Sequence, residues 1–389
     1  MTMKAQEKKE EKPLRKGYTT GACATAAVQA ALVSLLSGEK QETATIYLPA
    51  KVFATFAVEQ CEVQEDRAIA AIKKDAGDDP DVTHGAIIYA EVILKKEPGI
   101  ELDGGEGVGR ATKPGLAVEV GQAAINPVPR KMILSEAEKI LTDFNRTEGL
   151  KIIISVPGGE EMAKKTLNGR LGIIGGISIL GTRGIVMPFS TAAYKASIIQ
   201  AVQVARAGGC DHVAITTGGR SEKYAIQQLP ELKEEAFIEM GDFIGFTLKH
   251  CKRLGIKRVS MVGMMGKFSK VAQGVMMVHS KSAPVDFNFL AETALQAGAS
   301  PEEAEEVRGA NTASHAGELM AAAGHYRFFE ILCASCCEHA LKEVGGGLEI
   351  ETTLYTFKGE CLGKAERHEG TDQDNWNRGR RPQRAAGSL

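Results

Sequence analysis

Residues 75–81 (DAGDDPD) and the following His84 place four carboxylates and an imidazole within ten residues. Crowded carboxylates raise one another's pKa, so this segment could supply a general acid or base. Asp, Gly and Pro also form turns for backbone reasons alone, and the sequence favours neither interpretation. Asp78 and His84 are the predicted catalytic residues, because Asp75 can instead cap the turn and Asp79 precedes a proline. The distal glutamate of a calcium loop is missing, so we predict no calcium site.

Glycine-rich turns follow three apolar segments that read as buried strands. The segments are residues 152–156, 213–217 and 258–262, and the turns are residues 157–159, 218–219 and 263–266. In an open parallel sheet, ligands bind beyond the carboxyl ends of the strands, where glycines let them approach backbone N–H groups. The predicted cofactor-binding residues are Gly158, Gly159, Glu160, Glu161, Gly218 and Gly219. The acidic pair favours a cationic or hydroxyl-bearing ligand over a phosphate, and it also complements a helix dipole with no ligand bound.

Other common catalytic and metal-binding motifs are missing or incomplete. No phosphate-binding G-x-x-x-x-G-K-[ST] loop occurs, and residues 105–109 (GEGVG) lack the last glycine of a dinucleotide fingerprint. No Gly-x-Ser-x-Gly elbow occurs, which argues against covalent hydrolysis. Cys333, Cys336 and Cys337 lie in a run with helical periodicity, and no second Cys-x-x-Cys completes a zinc site. We predict that these thiols pack in a core and that the protein binds no metal of its own.

The composition excludes several classes of protein. Among 389 residues, 47 are Lys or Arg and 49 are Asp or Glu, so the formal net charge is −2. A general nucleic-acid binder would carry a basic excess, and 5% aromatic residues disfavour a base-stacking surface. The uncharged residues 17–38 contain threonine, glutamine, serine and many alanines, which favours a buried helix over a membrane span. Eight scattered cysteines without a secretory signal indicate reduced thiols and a cytoplasmic location.

The elements that must position these residues divide the chain near residue 150. Residues 14–150 read as an α+β domain, with a helix capped at Thr19 or Thr20 followed by alternating strands. Residues 151–364 read as an α/β domain with a mainly parallel sheet and helices on both faces, because apolar strands alternate with helices. The predicted chain ends, both rich in charge, are a mobile arm (1–13) and a disordered tail (365–389).

Five motifs occur in order along the chain. They are RKGYTTGACATAA (residues 15–27), DAGDDPDVTHG (75–85), GGEGVGRATKPGL (104–116), INPVPR (125–130) and SVPGGEEMAKKTLNGRLGIIGGISILGTRGIVMPFS (155–190). Together they resemble the cobalt-precorrin-5B C1-methyltransferase family of the anaerobic cobalamin pathway. The resemblance covers about residues 14–364, and the last motif is long enough to be highly specific. Small departures occur at Ala22, where Thr or Ser is commoner, and at Arg183, which replaces a small residue.

The resemblance implies an S-adenosylmethionine-dependent C-methyltransferase that converts cobalt-precorrin-5B to cobalt-precorrin-6A. It also implies an α+β domain followed by a Rossmann-like domain, with the cobalt belonging to the substrate. We predict that the methyl donor lies across the glycine turns 158–159 and 218–219, because these turns follow apolar strands. The acceptor is a polycarboxylate, whose recognition needs arginines at fixed spacing. The substrate-binding residues predicted on this basis are Arg15, Thr19, Thr20, Arg110, Arg130, Arg170 and Arg183. The expected partners are the cobalt-corrinoid and, transiently, neighbouring pathway enzymes, with no nucleic acid and no membrane.

Two other functions are compatible with the same sequence. A small-molecule kinase-like phosphotransferase could use the glycine loops of the α+β part, and Mg-ATP would then stabilise the protein against heat. A non-catalytic tetrapyrrole-binding carrier would bind the corrinoid without any affinity for the methyl donor. S-adenosylhomocysteine, Mg-ATP and the corrinoid are therefore the ligands that separate the three hypotheses.

Overall fold

The computed structural model describes residues 13–279 and 283–368. The chain forms two compact units, Met1–Ala193 and Tyr194–Leu389, so the predicted boundary near residue 150 is wrong. Residues 1–12 of the predicted arm and residues 369–389 of the predicted tail lie outside the described part of the chain.

The first unit combines short strands with two long helices. Its strands are β1 (Gly17–Tyr18), β2 (Thr43–Leu48), β3 (Val52–Ala57), β4 (Gln60–Val63), β5 (Arg67–Lys73), β6 (Ile87–Lys95), β7 (Ile100–Gly104), β8 (Arg110–Ala111), β9 (Gly149–Ser155), β10 (Ile173–Ile174) and β11 (Ile185–Val186). Its helices are α1 (Thr20–Ser37), α2 (Pro127–Asp143), α3 (Gly159–Ala163) and α4 (Asn168–Leu171). This unit therefore mixes helices with mostly antiparallel strands.

Helix α1 forms the centre of the first core. Thr19 caps it as predicted, because its hydroxyl oxygen accepts the Ala22 N–H at 3.2 Å. The helix ends at Gly38, whose φ of 76° is left-handed. Its many alanines let it pack closely against α2, β5 and β6. By length and composition α1 could cross a membrane, yet 72% of it is buried within the unit, as a core helix would be.

The main sheet of the first unit has the strand order β4-β5-β6-β9-β7. Strand β9 is antiparallel to β6 and parallel to β7, so it belongs to this sheet and not to the second unit. Its Leu150, Ile152 and Ile154 side chains are fully buried, while Ile153 on the other face is only half-buried. A run of isoleucines is typical of a strand that is covered on both faces in a parallel sheet, but only one face of β9 packs on a core.

The second unit begins within a long helix and contains a second sheet. Its strands are β12 (His212–Thr216), β13 (Phe237–Glu239), β14 (Arg258–Met264), β15 (Glu349–Tyr355) and β16 (Cys361–Arg367). Its helices are α5 (Thr191–Ala207), α6 (Gly219–Gln228), α7 (Ile244–Arg253), α8 (Met265–Val271), α9 (Phe287–Ala297), α10 (Pro301–Arg308), α11 (Ala313–Ala322) and α12 (Tyr326–Val344), with a 3-10 turn at Glu234–Ala236. The predicted disordered tail is wrong at its start, because residues 365–367 pair in β16.

The second sheet has the strand order β13-β12-β14-β15-β16, in which β16 alone runs antiparallel to its neighbour. Helix α6 packs on one face, where Ala225 and Leu229 contact Ala214 and Val262. The alternate strand residues join the larger core on the other face, which contains α7, α8, α9 and α12. Successive strand side chains point to opposite faces, so this partition shows helices on both sides.

The three neighbouring cysteines of α12 lie in that larger core, as predicted. Cys333, Cys336 and Cys337 are fully buried, and burial raises the pKa of the Cys333 and Cys336 thiols well above the ordinary value. Thiols that stay protonated are poor metal ligands and poor nucleophiles. Across the described ranges, no group of three or more His, Cys, Asp and Glu side chains could hold a metal ion.

Candidate functional site

The predicted acidic loop is joined to the chain that precedes α1. The Tyr18 N–H donates to the Asp75 carbonyl at 2.7 Å, and the Asp78 N–H donates to the Arg15 carbonyl at 2.9 Å. In return, Asp78 Oδ2 accepts the Arg15 N–H at 2.6 Å. A Cβ at Gly77 would lie 2.2 Å from the Arg15 carbonyl oxygen, so only glycine permits this approach. Two of the sequence motifs therefore form one structure.

Arg15 and Asp75 form an ion pair on the surface of this structure. Arg15 Nη2 lies 3.0 Å from Asp75 Oδ1, and Nη1 contacts the other carboxylate oxygen. This hydrogen bond, together with one from the Gly77 N–H, lowers the pKa of Asp75 to about 2. Both side chains are about half exposed, so the pair adds little stability and mainly keeps Asp75 ionised.

The two predicted catalytic residues differ in what their atoms can do. His84 Nδ1 accepts the Ala76 N–H at 3.1 Å, so in the neutral ring the proton sits on Nε2. This ring can donate a hydrogen bond, but its acceptor nitrogen is occupied. Asp78 is exposed and uses one carboxylate oxygen for the Arg15 N–H, which leaves Oδ1 available. The geometry therefore favours Asp78 over His84 as a proton acceptor.

A buried ion pair lies beneath the loop. Lys74 is 1% exposed, and its Nζ lies 2.6 Å from Asp81 Oδ2. Asp81 Oδ1 also accepts hydrogen bonds from the Thr83 N–H at 2.8 Å and the Thr83 hydroxyl at 2.6 Å. Burial alone raises the pKa of Asp81, but the Lys74 charge and these hydrogen bonds outweigh it and hold that pKa below its ordinary value. The pair connects Lys74, the residue directly after β5, to the loop.

The fifth motif, residues 155–190, contacts both the acidic loop and the chain that precedes α1. The Thr19 N–H donates to the Gly184 carbonyl at 3.1 Å, and Asp79 Oδ1 accepts the Phe189 N–H at 2.9 Å. The Thr20 hydroxyl lies 3.3 Å from the Ser178 and Leu180 carbonyl oxygens. Residues 15–20, 75–84 and 178–189 thus converge in the first unit. Thr19 and Thr20 are buried and use their hydroxyls within the protein, so they hold this junction together.

The predicted substrate-binding arginines fall into two groups. Arg15 is paired with Asp75, and Arg110 Nη2 lies 2.8 Å from Asp103 Oδ2. The side chains of Arg130 and Arg183, by contrast, have no ion-pair or hydrogen-bond partner in the described part of the chain. Arg170 is the fifth of these arginines, and its backbone carbonyl accepts a hydrogen bond from Lys113 Nζ at 3.1 Å. The guanidinium N–H groups of Arg130 and Arg183 are therefore available to a ligand.

The first predicted cofactor turn, which contains Gly158 and Gly159, lies in the first unit, where the chain passes from β9 into α3. Gly158 has a left-handed φ of 77° and precedes α3 in the first unit. A Cβ at Gly159 would lie 2.1 Å from the Gly107 carbonyl oxygen, so this glycine allows two backbone segments to pack. Glu160 and Glu161 are exposed, and Glu161 pairs with Lys164. The two predicted turns follow strands of different sheets, so they do not end strands of one parallel sheet as the sequence suggested.

The second predicted cofactor turn has the expected position. The strand that follows β12 in sequence, β13, lies on one side of it in the sheet. The strand that follows β14, β15, lies on the opposite side. The strand order therefore reverses between β12 and β14. Open α/β sheets bind ligands at this reversal. Gly218, at φ 157° and ψ 171°, adopts a conformation nearly restricted to glycine. A Cβ at Gly219 would meet nothing within 4 Å, so the start of α6 is accessible.

Sequence reasoning missed Glu239, the last residue of β13. Its Oε1 lies 3.9 Å from where a Cβ of Gly218 would be, and no side chain among the described residues hydrogen-bonds its carboxylate. An acidic residue about 20 positions after a glycine turn commonly binds a ribose hydroxyl. That spacing separates Gly219 from Glu239 and could have identified it. Burial, with Glu239 and Asp242 nearby, raises the pKa of Tyr194 to about 12, so this phenol stays protonated.

The second unit also contains a cavity of about 290 Å³. It lies at the carboxyl ends of β14 and β15, and its lining includes Met264, Met265, Gly317, Tyr355, Phe357 and Leu362. Arg220, the second residue of α6, lies 5.3 Å from the centre of the Phe357 ring. A glycine turn, an unengaged carboxylate and an apolar cavity thus lie along one edge of the sheet. This combination suits a ligand with both hydroxyl groups and apolar parts.

Comparison with known proteins identifies relatives along nearly the whole chain. The family model described as CbiD matches residues 7–188, and the model described as CbiD, C-terminal domain, matches residues 277–366. Proteins named cobalt-precorrin-5B C(1)-methyltransferase are similar. The one from Priestia megaterium is 66% identical, covering 92% of this chain and 98% of that protein. The one from Rubrobacter xylanophilus is 51% identical, covering 88% and 89%. A crystal structure of a cobalamin biosynthesis protein (cbiD) from Archaeoglobus fulgidus is 36% identical, with a TM-score of 0.37 over 65% of this chain and 78% of that one.

Proposed function

The chain belongs to the CbiD family, and on that premise we propose that it methylates C1 of cobalt-precorrin-5B with S-adenosylmethionine as donor. The observation that carries the proposal is the 66% identity, over 92% of this chain, to a protein named for that reaction. As a C-methyltransferase of cobalamin biosynthesis, the protein has a corrin-pathway intermediate as substrate, and the cobalt arrives with that substrate. We place the reaction in the cytoplasm, and transient contacts with neighbouring pathway enzymes remain a prediction.

The reaction makes modest demands on protein side chains. The donor supplies a methyl group on a sulfonium, so a carbon–carbon bond forms at C1 while the carbon–sulfur bond breaks and its electrons remain on sulfur. The ring carbon is already electron-rich, so alignment of the two ligands is the main requirement. A carboxylate near the ring can stabilise developing positive charge or accept a ring proton. The missing hydrolytic triad is consistent with this chemistry.

Our proposed donor site is the Rossmann-like crevice at the strand reversal between β12 and β14, extended by the carboxyl end of β13. There the open first turn of α6 lets a ligand approach its N–H groups, and the Glu239 carboxylate is available for two ribose hydroxyls. The apolar cavity at the carboxyl ends of β14 and β15 is our candidate for the less polar part of the donor. This site keeps Gly218 and Gly219 from the sequence prediction and replaces Glu160 and Glu161 by Glu239.

We propose that the acceptor binds to the first unit, where the motifs that carry the family resemblance converge. Arg130 and Arg183 suit peripheral carboxylates of the corrinoid, since their guanidinium groups are not engaged by acidic side chains in the described ranges. Asp78, in the acidic loop of the same unit, contributes an exposed carboxylate, and its free Oδ1 is our candidate for the proton acceptor. Arg15 and Arg110 are less suitable for binding these carboxylates, because their guanidinium groups already form ion pairs with Asp75 and Asp103.

The proposed function is tested by incubating the protein with cobalt-precorrin-5B and isotopically labelled S-adenosylmethionine. We expect the label to appear in a corrinoid that carries one additional methyl group, identified by mass spectrometry. S-adenosylhomocysteine should raise the melting temperature and Mg-ATP should not. Stabilisation by Mg-ATP alone would indicate a phosphotransferase, and corrinoid binding without any donor affinity would indicate a carrier.

Replacing Asp78 tests the proposed proton acceptor. Asp78→Asn keeps the oxygen that accepts the Arg15 N–H and removes the charge, so we expect single-turnover methylation to slow at least about tenfold with an unchanged melting temperature. The matched control is Asp66→Asn, at an exposed turn residue of the same unit, which should retain the wild-type rate. A variant with lowered stability and a wild-type rate would show that the loop is purely structural.

Replacing Glu239 tests the proposed donor site. A hydrogen bond to a charged group contributes about 1.5–3 kcal/mol, so Glu239→Gln should weaken S-adenosylhomocysteine binding by about tenfold or more. Titration calorimetry measures this affinity directly. Glu306→Gln, on the exposed surface of α10, is the control and should bind normally. Equal affinities in the wild type and Glu239→Gln would remove Glu239 from the site.

A further inference from the structure

Phe189 has an unusual backbone conformation. Its φ is 53°, in the left-handed region, and its side chain is 68% exposed. For a bulky residue this conformation is an outlier that costs free energy. A strained residue normally recovers that cost by packing its side chain, but this ring contacts solvent. The strain therefore has no explanation in the core of the protein.

The surrounding chain imposes the conformation. Asp79 Oδ1 accepts the Phe189 N–H at 2.9 Å, and three residues earlier Val186 pairs with Gly17 in the β1–β11 ladder. The strained residue is thus attached to the junction of the three converging motifs through its own N–H and through the strand that precedes it. Strain of this kind persists where other interactions over-determine the backbone, and it clusters at ligand clamps.

The ring has apolar and cationic neighbours along the same segment. Met187 and Leu180 are 44% and 49% exposed, and the guanidinium of Arg183 has no partner among the residues that the structure describes. Apolar side chains beside an unengaged cation match a flat conjugated ring that carries carboxylates at its edge. A corrin macrocycle has both properties, whereas an apolar peptide would leave the cation unused.

We propose that residues 180–189 form the surface on which the acceptor macrocycle lies, with the Phe189 ring stacked on its face. This inference rests on the proposed function, because it takes the identity of the acceptor from it. Stacking buries the exposed ring and offsets the backbone strain in the complex, so the surface is prepared before the ligand arrives. Arg183 then binds a peripheral carboxylate of the macrocycle.

The test uses a substitution whose effects on stability and on binding have opposite signs. Phe189→Gly removes the backbone strain and loses no buried contact, so we expect the melting temperature to stay constant or to rise by about 2 °C. The same variant should bind cobalt-precorrin-5B at least about tenfold more weakly in an absorbance titration, with S-adenosylhomocysteine affinity unchanged. Phe189→Tyr keeps the aromatic face and should restore corrinoid binding.

The control is Asn145→Gly. Asn145 also has a left-handed backbone, at φ 52°, but it follows the C-terminal end of α2 and carries no ring. Asparagine tolerates this conformation, so the variant should change the melting temperature little and keep normal corrinoid affinity. A lowered melting temperature in Phe189→Gly, or unchanged corrinoid affinity, would overturn the stacking role. A wild type that binds the corrinoid without methylating it would count against the proposed function alone, because the titration is independent of turnover.

Discussion

We expect the Gly219→Val variant to bind S-adenosylhomocysteine at least about 100-fold more weakly than the wild type and to keep its fold. Gly219 begins α6 with an ordinary negative φ, and a Cβ there would meet no atom within 4 Å. The added side chain therefore strains nothing, but it fills the space through which a ligand reaches the N–H groups of the helix start. Titration calorimetry measures the affinity, and circular dichroism with thermal melting checks the fold.

Gly309→Val is the matched control for this prediction. Gly309 ends α10 in the same unit, and a Cβ there would make only ordinary contacts, at 3.6 and 3.7 Å. This variant should bind S-adenosylhomocysteine with wild-type affinity. If Gly219→Val also retains that affinity, the donor does not approach the start of α6 and the proposed crevice is wrong.

Asp81→Asn should lower the free energy of unfolding by about 3 kcal/mol at neutral pH, the largest stability effect that we expect in the first unit. Lys74 is almost completely buried, and Asp81 supplies the charge that compensates its ammonium group. Without that carboxylate the lysine remains charged in a medium that solvates it poorly, or it must lose its proton. Urea unfolding followed by circular dichroism measures the difference.

The effect should depend on pH in a defined direction. The folded state lowers the pKa of Asp81 from its ordinary value of 3.8, so its contribution to stability is complete above that value. As the pH falls through the lower folded pKa, Asp81 becomes protonated in the wild type too and the contribution is lost. The stability difference between the wild type and Asp81→Asn should therefore be largest at neutral pH and shrink in acid.

Two further variants separate charge compensation from other causes. The double variant Lys74→Met and Asp81→Asn removes both charges, and it should recover much of the lost stability, since buried pairs are often replaceable by apolar groups. Asp66→Asn at an exposed turn should change stability by less than about 0.5 kcal/mol. A double variant that is no more stable than Asp81→Asn would show that the aspartate acts through Thr83 and not through Lys74.

Local signals in the sequence identified many elements correctly. The cap at Thr19 and the predicted strands at residues 213–217 and 258–262 agree with the structure, because hydroxyl capping and short apolar runs act within a few residues. The family could also be identified from short motifs, because these combine residues that a backbone turn or a close approach requires. Gly77, which allows Arg15 to approach the acidic loop, is an example.

Pairing between distant segments was not predictable in the same way. Residues 152–156 read as a strand correctly, but the sequence did not indicate that β9 lies between β6 and β7. The glycines at 158–159 and 218–219 look alike in sequence, yet the first pair serves loop packing in one sheet and the second lies at the strand reversal of another. A glycine pattern specifies a turn, while the sheet topology decides whether a ligand can use it.

The sequence by itself determined the identity of this protein's family, its reaction and the local form of its helices and strands, since these depend on residue types at short spacing. Only the tertiary structure decided where the units divide, that Asp79 holds Phe189 in a strained conformation, and that Glu239 stands beside Gly218. Each of these depends on contacts between residues far apart in the chain. Such contacts are selected by the burial of whole faces of helices and sheets, which no short segment specifies.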